Sequence, residues 1–164
     1  MTAPYPDTLP FPGPIDGAGL RALGIEGWPF GMAGRVAFAD LDPLAHVNNA
    51  VYFRWFEALR VTYLRAWGLS RYSDPGTEPR IVIRSTECRY ITEMRHDESF
   101  VVTGRTTAFR RTSFTMDYAI HAPDLRATGS AVVVLLSPDG SGRLEIPDPV
   151  RQRFVEIDDA AAEG

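Results

Sequence analysis

Residues 49–67 constrain this chain more than any other stretch. At helical spacing they place Tyr52, Trp55, Phe56, Leu59, Tyr63 and Trp67 on one broad face, with Arg54, Glu57 and Arg65 on the opposite side. Gly68 follows as a natural helix stop. A helix carrying that much aromatic surface needs a large partner to cover it, and one flat helix neighbour does not suffice. The rest of the chain therefore has to supply an extended surface.

The remainder reads as strands. Residues 80–91 carry Ile81, Ile83, Cys88 and Tyr90, and 99–109 form a second run that ends at Arg110 and Arg111. Phe114, Met116, Tyr118 and Ile120 alternate with Thr115, Asp117 and Ala119, the clearest period-two signal in the chain. Turn-prone Ala122, Pro123 and Asp124 lead into a last run over 127–136, closed by Ser137, Pro138, Asp139 and Gly140. A short strand is predicted over 35–39, with Val36 and Phe38 on one face, and a short terminal helix over 149–157. A strand, a long apolar helix and four strands joined by hairpin-like turns predict an α+β fold. Its one antiparallel sheet has to curve around the helix to cover it.

The 164 residues are enough for one domain with a real core and too few for two comfortable ones. The first 33 residues interleave six prolines with six glycines, which excludes a long helix or a central strand there. Only 18–23 has room for a helical turn or two. Phe11, Leu20, Leu23, Trp28 and Phe30 predict that parts of this segment dock on the domain, as a lid or a dimer-contact arm; the plain alternative is a poorly ordered extension. The expected organisation is an arm over 1–33, a folded domain over 34–157, and a frayed acidic, Ala-rich end over 158–164.

The net charge of −4 gives no reason to expect nucleic-acid binding. All 17 basic residues are Arg, so any phosphate contact from a charged side chain comes from a planar fork. A single cysteine, Cys88, excludes an intramolecular disulfide framework, and its strand-like setting predicts a buried, inert thiol. No apolar run approaches the length of a membrane span, and the N-terminus lacks the basic-then-apolar pattern of a secretory signal. A cytoplasmic protein is the expectation. His46, His96 and His121 are scattered without ligand-like spacing, and no Gly-rich phosphate loop or serine nucleophile elbow appears. No metal and no cofactor are therefore expected.

The chemistry concentrates in Asp40-Leu41-Asp42-Pro43-Leu44-Ala45-His46-Val47-Asn48-Asn49, which opens the aromatic helix. Unpaired N–H groups at a helix start stabilise negative charge placed there. A carbonyl oxygen resting on them is polarised, and the oxyanion formed on nucleophilic attack is stabilised further. A carboxylate a few residues upstream, Asp42, is placed to reach the same carbonyl carbon or a water beside it. The plain alternative is that Asp42 braces an Asx turn and that Asn48 or Asn49 is an N-cap. His46 and Asn48 either orient water and Asp42 or pin the loop through hydrogen bonds to the backbone. Asp40 reads as a loop brace and Glu57 as half of a helix-surface ion pair with a neighbouring Arg.

The stretch from Val36 to Tyr52, continuing through Phe56-Glu57-Ala58-Leu59-Arg60, resembles the signature of the 4-hydroxybenzoyl-CoA thioesterase-like hotdog family. Cys88-Arg89-Tyr90, His96-Asp97-Glu98 and Ile146-Pro147 are similar to the family's downstream pattern. The resemblance covers roughly residues 34–155. It implies a single hotdog domain, a curved antiparallel sheet wrapped around a long central helix, and a homodimer or homotetramer with sites at subunit interfaces. It also implies an acyl-CoA thioesterase in which Asp42 is the catalytic carboxylate and the oxyanion donor lies near Asn49; His46 and Asn48 stay as supporting candidates from the loop itself. Ala45 departs from the pattern, because many members have Gly before the His. An acyl-carrier-protein thioesterase and a non-catalytic acyl-CoA-binding module are the alternatives. A hotdog dehydratase is disfavoured, since those relatives use a different His- or Glu-bearing arrangement. The acyl group does not follow from the resemblance.

Overall fold

The computed structural model describes residues 13–164. In chain order these form β1 (Pro14–Asp16), α1 (Gly17–Ala22), β2 (Phe30–Arg35), a 3-10 turn (Phe38–Asp40), α2 (Asn49–Ala66), β3 (Arg80–Tyr90), β4 (Ser99–Phe109), β5 (Ser113–His121), β6 (Leu125–Leu136), α3 (Asp148–Glu156) and β7 (Ala161–Ala162). The strands make one sheet in the order β1-β2-β4-β5-β6-β3, with β7 pairing β4. β2 runs antiparallel to β4, Phe30 opposite Gly104 and Arg35 opposite Ser99, whereas the short β7 lies parallel to β4 at Ala108 and Phe109. The fold is α+β, as the alternation of strand and helix patterns predicts.

The described chain divides into two compact units, and the division passes within α2 and within strands β3 to β6. In the unit comprising Met1–Arg60, Cys88–Gly104 and Tyr118–Gly129, the first half of α2 buries Tyr52 and Phe56. Phe56 stacks on Tyr118 with ring centroids 4.8 Å apart, within the range that favours aromatic pairs, and the Trp55 and Phe100 rings lie tilted against each other at 4.1 Å. Ile15, Leu20, Ile25 and Val101 form a small buried cluster, against which Leu23 and Trp28 pack. The Asp16 side chain caps α1 by accepting from Gly19 N at 2.8 Å. Residues 14–28 are thus packed down and Phe30 is buried; Phe11 of the expected arm lies outside the described residues.

In the other unit, Val61–Glu87, Arg105–Asp117 and Ser130–Gly164, α2 continues with Tyr63, Leu64 and Trp67 buried. Gly68, in the left-handed region at φ 83°, ends the helix, and Arg153 donates to the Ala66 carbonyl at 3.1 Å. Phe154 of α3 packs against Phe109 and Phe114 at ring distances of 5.7 and 5.2 Å.

Three expectations are corrected. β2 is an inner strand although the composition of the arm argues against one, and it continues past residue 33 to Arg35. Its glycines are what admit it: a Cβ on Gly34 would lie 2.2 Å from the Phe100 ring, so only a bare backbone fits beside that ring. No strand covers 35–39. Instead the Asp40 carboxylate accepts from Ala37 N at 2.9 Å while Asp40 N donates to the Ala37 carbonyl at 3.0 Å, closing a 3-10 turn that leaves Phe38 78% exposed. The end expected to fray is held: Asp158 and Ala160 are buried, and Glu163 N donates to the Phe109 carbonyl at 2.8 Å.

Candidate active site

All ten residues of the stretch Asp40 to Asn49 lie in one compact unit with the first half of α2 and the end of β3. The loop is built by its own polar groups. Asp42 N donates to the His46 carbonyl at 2.8 Å and Ala45 N to the Asp42 carbonyl at 3.0 Å, which folds 42–46 into a tight turn. Ala45 sits at its crest in the left-handed region, at φ 60°, where glycine goes freely and alanine does not. Asn48 N donates to the Asp40 carbonyl and Val47 N to the Met94 carbonyl, each at 2.8 Å, so the turn is anchored before and after it reverses.

Asp42 commits one carboxylate oxygen to this turn. Its Oδ1 accepts from Leu44 N at 2.8 Å and from His46 N at 3.3 Å. Among the described residues its Oδ2 has no hydrogen-bond donor. A carboxylate with one oxygen pinned and the other open is oriented yet still able to act on a neighbouring molecule.

The helix start is arranged in the same way. Asn48 is the cap: its Oδ1 accepts from Ala50 N at 3.0 Å and its carbonyl from Val51 N at 2.9 Å. Between them the N–H of Asn49, the first residue of α2, has no acceptor among the described residues. A free N–H at the positive end of an 18-residue helix is a donor for a developing oxyanion. The Asn49 carbonyl in turn accepts from the Tyr90 hydroxyl at 2.9 Å.

The remaining polar residues have engagements of their own. His46 acts through its main chain, and its imidazole lies close enough to Glu93 to help hold that carboxyl below its ordinary value, after hydrogen bonds from Glu93's own backbone and from Arg95. Asp40 is the brace expected of it, buried and accepting from Arg54 at 2.6 Å as well as from Ala37 N. Glu57 is exposed and 4.0 Å from Arg60, a helix-surface pair of little energetic weight. Arg110 and Arg111 pair with Glu163 and Glu145 at 3.1 and 2.8 Å. His96 meets Phe38 edge-on at 6.1 Å, and His121 lies against Thr103 at 3.4 Å with burial pushing its pKa down. Among the described residues no group of three His, Cys, Asp or Glu side chains is placed to hold a metal ion.

The sequence presents Tyr90 only as an apolar strand position, and its hydroxyl's link to the helix start has no local signal. Cys88 is half-buried rather than buried, with burial pushing its thiol up and away from the reactive thiolate. Tyr52 meets the Tyr90 ring edge-on at 5.0 Å, and burial, then the nearby Cys88 and Tyr90, pushes its hydroxyl up to about 12.

The chain resembles known proteins over most of its length. A thioesterase superfamily protein of Jannaschia sp. CCS1 is 43% identical, with a TM-score of 0.89 over 94% of this chain and 99% of that one. A thioesterase of Thermus thermophilus, solved in complex with coenzyme A and Zn, is 28% identical with a TM-score of 0.71 over 82% and 98% of the two chains. A 1,4-dihydroxy-2-naphthoyl-CoA thioesterase of Synechocystis shares the fold, at 16% identity and a TM-score of 0.67 over 78% and 96%. These likenesses show the hotdog fold, an antiparallel sheet curved around a long central helix. With residues 36–155 matching the family described as the thioesterase-like superfamily, the chain belongs to that superfamily.

Proposed function

We propose that this chain hydrolyses acyl-CoA thioesters to a carboxylic acid and free CoA thiol, with Asp42 as nucleophile or general base and the Asn49 N–H as oxyanion donor. The observation that carries the reading is the pairing of two open groups in one pinned loop: the Oδ2 of Asp42 and the first N–H of α2. Membership of the thioesterase-like superfamily and the likeness to a thioesterase that binds coenzyme A support the acyl-CoA class.

The chemistry asks for little else. As a nucleophile, Asp42 Oδ2 adds to the thioester carbon, the Asn49 N–H takes the oxyanion, and collapse expels the thiolate to leave a mixed anhydride that water hydrolyses. As a general base, Asp42 takes the proton of a water that attacks the same carbon, and the thiolate again leaves. A thiol of pKa roughly 8.5, the value of a Cys side chain, departs without acid assistance. His46 and Asn48 serve the site by holding its geometry: the main chain of His46 orients Asp42, and the Asn48 side chain takes Ala50 N so that Asn49 N stays free.

The reading includes a homodimer or homotetramer. β3 is an edge strand of 11 residues, and Val82, Ile83, Tyr90 and Ile91 at and beside it are each 38% exposed or more. Such an edge is a template for pairing with a second copy. Among the described residues no helix is long and apolar enough to cross a membrane.

A thiol-release assay over short, medium, long and aromatic acyl-CoA, with an acyl-carrier-protein thioester alongside, tests the proposal. Asp42→Asn keeps size and removes the carboxylate; with Asp42→Ala it should lower kcat at least about a hundredfold. Parental rates in both variants would reject Asp42. Tight binding of a substrate with no turnover would turn the reading into that of a binding module.

A further inference from the structure

The end of β3 reaches the first turn of α2 through one side chain. Tyr90 donates its hydroxyl proton to the Asn49 carbonyl at 2.9 Å, and its ring is set by the edge-on contact with Tyr52 at 5.0 Å. The Asn49 carbonyl and the Ala50 N–H are the two ends of one peptide unit, and the Ala50 N–H donates to Asn48 Oδ1 at 3.0 Å. Tyr90, the Asn49–Ala50 peptide and the Asn48 side chain therefore form a chain of hydrogen bonds, in which each bond polarises and orders the next. The member it leaves out is the Asn49 N–H, the donor left open at the mouth of the helix.

We propose that Tyr90 is a positioning residue, which through its hydroxyl locks the capped first turn of α2 so that the Asn49 N–H stays free and aimed for an oxyanion; this rests on the thioesterase reading above. The role fits what Tyr90 gives up. Its side chain is 45% exposed, so its hydroxyl had water as an alternative partner and is instead directed at a backbone carbonyl that a helix interior would already satisfy. Oxyanion stabilisation is sensitive to small displacements of the donor, so a residue that only holds the donor acts on the chemical step rather than on substrate binding.

Tyr90→Phe tests this, since it keeps the ring contact with Tyr52 and removes only the hydroxyl. With the preferred acyl-CoA, kcat should fall about tenfold, the effect of one hydrogen bond, with KM within about twofold of the parent. Amide hydrogen exchange gives a readout independent of activity. The Ala50 and Val51 amides, both bonded to Asn48, should exchange about fivefold faster in Tyr90→Phe, while amides of β4 and β5 keep their parental protection and report an intact fold. Parental kcat together with parental exchange at Ala50 and Val51 overturns the proposal. If the parent hydrolyses no thioester, the functional reading fails by itself, and the exchange measurement still decides whether Tyr90 orders the helix start. A rise in KM at constant kcat would also overturn it, because it would mean that the hydroxyl binds substrate.

Discussion

At the scale of single residues, the site depends on which polar atoms are used up and which are left over. Asp42 has two oxygens; the turn takes one, through Leu44 N and His46 N, and leaves the other. Asn48 does the opposite work, consuming the donor of Ala50 with its side chain so that the neighbouring Asn49 N–H is the one left open. Ala45 is the point of strain in this arrangement, the residue at φ 60° between the two halves of the turn. The side chain at that position costs about 1–2 kcal/mol in the left-handed region, partly offset because glycine loses more freedom on folding. Ala45→Gly should therefore raise stability by about 0.5–1 kcal/mol in urea unfolding with turnover retained. A destabilised Ala45→Gly would show that the alanine methyl packs rather than strains.

At the scale of elements, α2 and β2 show two different ways of accommodating aromatic bulk. α2 follows its period: the residues on its apolar face are buried or half-buried, and Arg54, Glu57 and Arg65 are exposed. β2 accommodates bulk by having none. The Phe100 ring lies against Gly34, and its centroid is 4.1 Å from that of Trp55, so the ring is in contact with both. Gly34→Ala places a methyl into that ring and should destabilise by about 1–3 kcal/mol through overpacking. Paired with Phe100→Leu, much of the loss should return; an additive double variant would sink the account. The proline- and glycine-rich composition of this segment points away from an inner strand. A glycine's value to a strand lies in what a different strand places against it, and that information sits at residue 100.

At the scale of the whole molecule, a buried carboxylate is among the groups that tie down the C-terminal end. Asp158 accepts from Thr106 N at 3.0 Å and from the Tyr63 hydroxyl, while its Oδ1 is buried with no hydrogen-bond partner among the described residues. Burial pushes its pKa up to about 6 against the opposing pull of these hydrogen bonds and of Arg105. A raised carboxyl pKa means the folded chain holds a proton that the unfolded chain has released. Stability is therefore greatest below the ordinary Asp value and falls as pH rises from about 4 to about 6, by up to about 3 kcal/mol for two units. Asp158→Asn should remove that slope, leaving the variant more stable than the parent at pH 8 and without advantage at pH 4. Parallel stability-versus-pH curves would contradict it.

Much of this protein was legible along the chain. The 3.6-residue spacing of aromatic side chains set α2, the alternation from Phe114 to Ile120 set β5, and the Asp40-to-Asn49 stretch marked its own turn and cap, because each signal is carried by residues within a few positions of one another. The same locality placed Asp42 and the Asn49 N–H in one loop, and it carried the resemblance to the thioesterase-like family. What only the tertiary structure decided involves partners far apart in sequence: Tyr90 on the carbonyl of Asn49, 41 residues away, and Asp158 on Tyr63, 95 residues away. A hydroxyl's partner and a glycine's neighbour depend on which strands meet. That meeting is settled by packing over the whole sheet, and no spacing along one segment encodes it.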